Sequence, residues 1–149
     1  MPNGKVHGSI GLLVGGGLAC YVARFQEWDR RLLETIGGAL GGYAGGRLPD
    51  LFEPARTPCH RGFAHSGAAA AAIIGSYPEF GSLADKCRCR ANHHELGPST
   101  VEDPLHKLGH HLVALFWRLL AGFLSGLVNG YLSHLALDAF TPKALPLLA

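Results

Sequence analysis

Apolar residues fall in blocks rather than in strict alternation, which predicts helices and no sheet. The first block, residues 8–24, is apolar from Ile10 to Ala23, and Ser9 is placed to cap it. Its glycines 15–17 each weaken a helix in water by roughly 1 kcal/mol against alanine, so they make sense where another backbone must approach. A charged connector, 25–31, carries Trp28, a residue suited to a headgroup boundary. In the second block, 32–46, Gly37, Gly38, Gly41, Gly42, Gly45 and Gly46 form two overlapping Gly-xxx-Gly rows. Ile36, Leu40 and Tyr43 between them favour a closely packed helix over a flexible linker. A third helix is predicted over 66–76 from its alanine run. Residues 77–103 are polar and mixed in charge, with Pro78, Gly81, Gly97 and Pro98, and are expected to form a long loop or short subdomain outside the bundle. Asp103 and Pro104 mark a helix entry. Leu105–Phe140 exceeds one span of about 20 residues, so a break is expected near Gly122–Gly130. The fold class is therefore all-α: one domain over 1–149, a Gly/Ala-rich bundle of about five helices, with a polar loop at 77–103.

Composition places that bundle against a membrane. Charged residues are 16% of the chain, against roughly 25% in soluble domains. Glycine is 21 of 149 residues without a collagen period, which suits helices packed backbone to backbone in lipid. The first three spans are short for a hydrocarbon core of roughly 30 Å, so a soluble bundle is the rival reading. Lysine and arginine are spread evenly over the connectors and leave orientation open. A net charge of +2 excludes polyanion binding by bulk charge, so no nucleic acid is expected as a stable partner. Lys5 is a thin n-region, and the first block reads as mature helix rather than a cleaved leader. Cys20, Cys59, Cys87 and Cys89 make no disulfide framework and read as reduced thiols.

The chemistry sits in residues 47–66, a polar loop between apolar segments. Asp50, Glu53, His60 and His65 put two carboxylates and two imidazoles within it, the donor set of a divalent metal. His134 and Asp138, four apart on a predicted helix, project from one face and can grip an ion together. His7 lies at the start of the first helix. Asp50 or Glu53 could act as a base, and Arg61 could hold an anionic group such as phosphate. Ser66 reads as a helix cap rather than a nucleophile. A simple up-and-down count of five helices puts His134 at the end away from the loop, so the last helix has to bend or start late. Arg118, inside an apolar stretch, should snorkel or pair with an acid. His106, His110 and His111 read as a polar face, and Cys87-x-Cys89 with His93 and His94 as a polar loop; zinc is the sharper alternative for the latter.

Leu48-Pro49-Asp50, then His60-Arg61-Gly62-Phe63-Ala64-His65-Ser66, then Gly130-Tyr-Leu-Ser-His134-Leu-Ala-Leu-Asp138 resembles the YdjM-like (LexA-regulated) family of bacterial inner-membrane metal-dependent hydrolases. More distantly it is similar to the zinc phospholipase C and single-strand nuclease superfamily. The resemblance covers most of the chain. It implies metal ligands at His7, Asp50, His60, His65, His134 and Asp138, with zinc as the cofactor. It also implies a bacterial inner-membrane location and a phosphoester or lipid-borne ester as substrate. A homo-oligomer is compatible with it. Family members often carry an Asp-rich run after Leu-Pro-Asp; here Leu51-Phe52-Glu53 stands there, so Glu53 substitutes or a second ion is lost. Segment 77–103 has no counterpart. The alternatives are a non-catalytic membrane bundle with a structural metal and a partner-binding bundle.

Overall fold

A computed structural model describes residues 4–53, 62–96 and 103–140. Within these the fold is all-helical. Helix α1 spans Gly4–Val22, α2 Trp28–Gly45, α3 Leu48–Phe52, α4 Gly67–Gly75, α5 Tyr77–Glu95 and α6 Pro104–Ala139, with a 3-10 turn at Phe63–His65 before α4.

Glycine sets the packing of α1, α2 and α6. A Cβ on Gly37, Gly41 or Gly45 of α2 would overlap the carbonyls of Leu119, Phe123 and Leu127 on α6. From the other side, a Cβ on Gly122, Gly126 or Gly130 would overlap the carbonyls of Glu34, Gly38 and Gly42. Partners advance in the same direction, so α2 and α6 run parallel. Gly11 and Gly15 of α1 meet Gly42 and Gly38 in the opposite order, so α1 is antiparallel to both. Of the three glycines at 15–17, the first two face a neighbour; nothing lies within 4 Å of a Cβ on Gly17.

Two expectations are corrected. Of the segment 77–103, expected to be a loop outside the bundle, Tyr77–Glu95 is instead helix α5, packed on α6. Pro78 sits in the first turn, where a missing N–H costs nothing. The buried stripe of α5 is Ala84, Cys87 and Ala91, small residues that let it lie close to Ala121, Trp117 and Leu124. Nor does the last apolar stretch break at Gly122–Gly130: α6 is one continuous helix of 36 residues, and those glycines are its contact ridge against α2.

The described residues therefore make four strokes. α1 leaves one end of the bundle and α2 returns to it. α4 and α5 together leave again, with Tyr77 reaching Asn129, Arg88 reaching Glu34 and Glu95 reaching Arg30 and Arg118. α6 then returns, so its C-terminal turns arrive beside the C-terminal end of α2. The last helix reaches the loop without bending.

The buried set is largely alanine, including Ala19, Ala23, Ala84, Ala91, Ala114 and Ala121, whereas Leu13, Leu32, Ile36, Leu40, Leu112 and Phe116 face outward. α1 and α6 are each long and apolar enough to cross a membrane. Far from the C-terminal end of α2, a charged layer crosses the bundle. Glu34, 0% exposed, accepts hydrogen bonds from Gln26 Nε2 at 3.0 Å and Arg88 Nε at 2.9 Å. Arg118, 2% exposed, donates from Nε and Nη2 to the two Glu95 oxygens at 3.1 Å each, and from Nη1 to Gln26 Oε1 at 3.0 Å. It pairs with acids rather than snorkelling, as a guanidinium among apolar helices must. Cys20, Cys87 and Cys89 are free thiols.

Candidate metal centre

Four elements bring five side chains together at the other end of the bundle. α1 contributes His7 from its first turns. Pro49, in the first turn of α3, starts the short helix that presents Asp50. The 3-10 turn presents His65. α6 presents His134 and Asp138, four apart and hence on one face. His60 and Arg61 lie outside the described residues.

Local hydrogen bonds explain why the turn holds its shape. Ser66 Oγ accepts from the Ala69 N–H at 3.1 Å and donates to the Phe63 carbonyl at 2.7 Å. It is the cap of α4, as expected, and its one O–H is spent on the Phe63 carbonyl. Glu53 accepts from the Gly62 N–H at 2.9 Å, from the Ala64 N–H at 2.9 Å and, through Oε2, from His65 Nδ1 at 3.0 Å. Burial pushes the Glu53 carboxyl up, but the bonds from His65, Ala64 and Gly62 outweigh it and hold it below its usual value. Tyr131 Oη donates to the Ala64 carbonyl at 2.9 Å and pins the turn onto α6.

The imidazoles are fixed in one orientation. His134 Nδ1 lies 2.7 Å from the Gly46 carbonyl oxygen and therefore donates to it, as His65 Nδ1 donates to Glu53. Each ring is left with its Nε2 lone pair, and the two Nε2 atoms face each other at 3.2 Å. An N–H bonded to oxygen on one side and Nε2 turned toward the other candidate ligands is the arrangement of a metal-bound histidine with its outer partner. The carboxylates close in around these nitrogens. Asp138 Oδ2 is 3.5 Å from His134 Nε2 and 3.8 Å from His65 Nε2. Asp50 Oδ1 is 3.5 Å from His65 Nε2 and 3.8 Å from His134 Nε2. His7 stacks on His134 with ring centroids 3.9 Å apart, and its Nε2 is 3.7 Å from Asp138 Oδ1.

Two ligand triads result, His7–His134–Asp138 and Asp50–His65–His134, each with its ligating atoms within 4.8 Å of one another. Donors bound to one tetrahedral ion at 2.0–2.2 Å stand roughly 3.3 Å apart, close to the spacings found here. A buried His7 Nδ1 with no hydrogen-bond partner among the described residues also fits a site completed by something other than protein. The donor set, imidazole and carboxylate without thiolate, suits zinc or a similar divalent ion. His65, His134 and Asp138 are buried, while the Asp50 side chain is 36% exposed, so access from water is on the Asp50 side.

Of the residues singled out in the sequence, His7, Asp50, His65, His134 and Asp138 meet, and Glu53 stands behind His65. The Gly46 carbonyl and Tyr131 were not anticipated. Gly46 carries no side-chain signal. Tyr131, three residues before His134, was legible only as a buried aromatic needing a partner for its hydroxyl. The chain matches no protein-family model, no curated protein and no solved structure.

Proposed function

We propose that this chain is a membrane-embedded, metal-dependent hydrolase of the YdjM-like kind, acting on a phosphoester or lipid-borne ester at the inner membrane of a bacterium. The observation that carries the reading is the convergence of His65 Nε2 and His134 Nε2, both rings held by Nδ1–H bonds to oxygen, on the carboxylates of Asp50 and Asp138. Imidazoles so oriented are prepared to ligate an ion rather than to shuttle protons through both nitrogens. Membrane embedding is supported by α1 and α6 and by large apolar side chains that face outward around an alanine and glycine interior.

His7, Asp50, His65, His134 and Asp138 would hold the ion, and zinc is the best match to the donors. A bound divalent ion supplies Lewis acidity toward a substrate oxygen and makes water more acidic. Asp50 is the carboxylate nearest solvent, with Oδ1 on the imidazoles and its side chain 36% exposed, so it is the group placed to accept a proton from water entering on that side. Glu53 holds His65 in place rather than serving as the base, since both its oxygens are already engaged. A purely structural metal would be closed off from water; the exposure of Asp50 favours the catalytic reading.

The test is metal content and hydrolysis together. Protein purified in detergent without chelators is expected to carry a stoichiometric divalent metal and to cleave at least one of a panel of phosphomonoesters, phosphodiesters and phospholipids. His134→Ala should lose both metal and cleavage. Metal at background in the unmutated protein would overturn the reading; metal without cleavage, unchanged by Asp50→Asn, would leave a structural site in its place.

A further inference from the structure

A second group of imidazoles lies at the opposite end of α6. His94 belongs to the last turn of α5, and His106 and His110 to the first turns of α6, four apart on one face. The antiparallel pairing of α5 and α6 brings the three together. His94 Nδ1 lies 3.2 Å from His110 Nδ1, and the His106 ring stacks on His110 with centroids 5.0 Å apart and planes 26° from parallel. These rings line an open concavity of about 290 Å³ with Gly109 and Val113. Nothing lies within 4 Å of a Cβ on Gly109, so that side is clear for a ligand.

We infer that His94, His106 and His110 form a second, water-accessible site for a borderline transition-metal ion such as zinc or nickel(II). Two imidazole nitrogens bound to one tetrahedral ion stand roughly 3.3 Å apart, and His94 and His110 are already at that separation across two helices. Without an ion, the same 3.2 Å holds one N–H donating to the other nitrogen, and binding through Nδ1 moves that proton to the donor ring's Nε2. The i, i+4 pair supplies the third ligand from the same helix face by rotation of the His106 ring, and water completes the sphere. Imidazole alone, without carboxylate, selects zinc, nickel or copper(II) over magnesium or calcium. The site lies about 36 Å from His134 along α6 at 1.5 Å per residue, so its ion takes no part in chemistry there. It ties the end of α5 to the start of α6.

The experiment titrates the full chain in detergent with zinc chloride, by calorimetry and by carbethoxylation of histidines read by mass spectrometry. Zinc is expected to protect His94 and His110 of the unmutated protein from carbethoxylation. The His94→Ala/His110→Ala double variant is expected to bind one equivalent fewer, and His134→Ala to retain the equivalent at His94 and His110. Unchanged carbethoxylation of His94 and His110 under saturating zinc would overturn the inference without recourse to a variant. So would a double variant that keeps every equivalent. Because the readouts are at separate residues, failure at His134 and failure at His110 are told apart.

Discussion

Glu53 shows how one side chain reaches the site through another. It accepts three hydrogen bonds, two from backbone N–H groups of the turn and one from His65, and so fixes both the turn and the ring. Glu53→Gln puts an NH₂ group where an acceptor is needed. Replacing such an outer partner costs metal affinity by about 10- to 100-fold. A chelator-competition titration is expected to show a loss of that size with an unchanged helical circular dichroism spectrum; an affinity equal to the unmutated protein's would remove Glu53 from this role. The sequence displayed Glu53 only as a carboxylate near histidines, which left base, ligand and positioning roles equally open. What separates them is the direction of the Gly62 and Ala64 N–H groups, a backbone property that no residue type reports.

Among the elements, glycine in helices means two different things here. Gly41 abuts the Phe123 carbonyl more closely than 3.0 Å to any Cβ, and the obstruction is backbone, which cannot turn aside. Gly17 faces open space. Gly41→Ala is therefore expected to destabilise the bundle and separate α2 from α6, whereas Gly17→Ala should gain up to about 1 kcal/mol from helix propensity. Thermal unfolding in detergent reads the sign of each, and equal shifts would contradict the packing argument. The Gly-xxx-Gly rows of α2 were legible because bulky residues flank them. The same spacing at Gly122, Gly126 and Gly130 suggested a break because the apolar stretch around it was longer than a span. α5 was hidden for a different reason. Its inward face is Ala84, Cys87 and Ala91, too small to register as an apolar stripe, among exposed polar residues. The missed helix changes no direction, since α4 and α5 leave together, but the false break splits α6 and adds one reversal in error, which is why a residue count sent His134 to the wrong end.

For the molecule as a whole, two polar layers bracket a slab of glycine and alanine contacts. Arg118 and His134 are about 24 Å apart along α6 at 1.5 Å per residue, a little less than a hydrocarbon core of roughly 30 Å. The charged layer is the stabilising counterpart of the candidate metal site, and removing one member strands the rest. Arg118→Ala leaves Glu34 buried without one of its guanidinium neighbours and Glu95 without its bidentate partner. The expected loss is about 3–5 kcal/mol, seen as poor recovery of folded protein; Arg30→Ala, at a more exposed position, should cost far less. A melting temperature for Arg118→Ala equal to that of Arg30→Ala would show the layer to be decorative.

His134 hydrogen-bonds the Gly46 carbonyl and touches His7 and His65, so α1, α2, the turn and the end of α6 all meet at one imidazole. Its partners come from near the two limits of the described chain. A nascent polypeptide emerging from its N-terminus thus holds His7, Asp50 and His65 long before the residues that complete the centre exist. Until the final turns of α6 dock, these groups have no common focus, and contacts of such long sequence separation form late. An ion bound by these residues would then report that the end of α6 has been made and docked, and its affinity would add to the stability of the docked bundle alone.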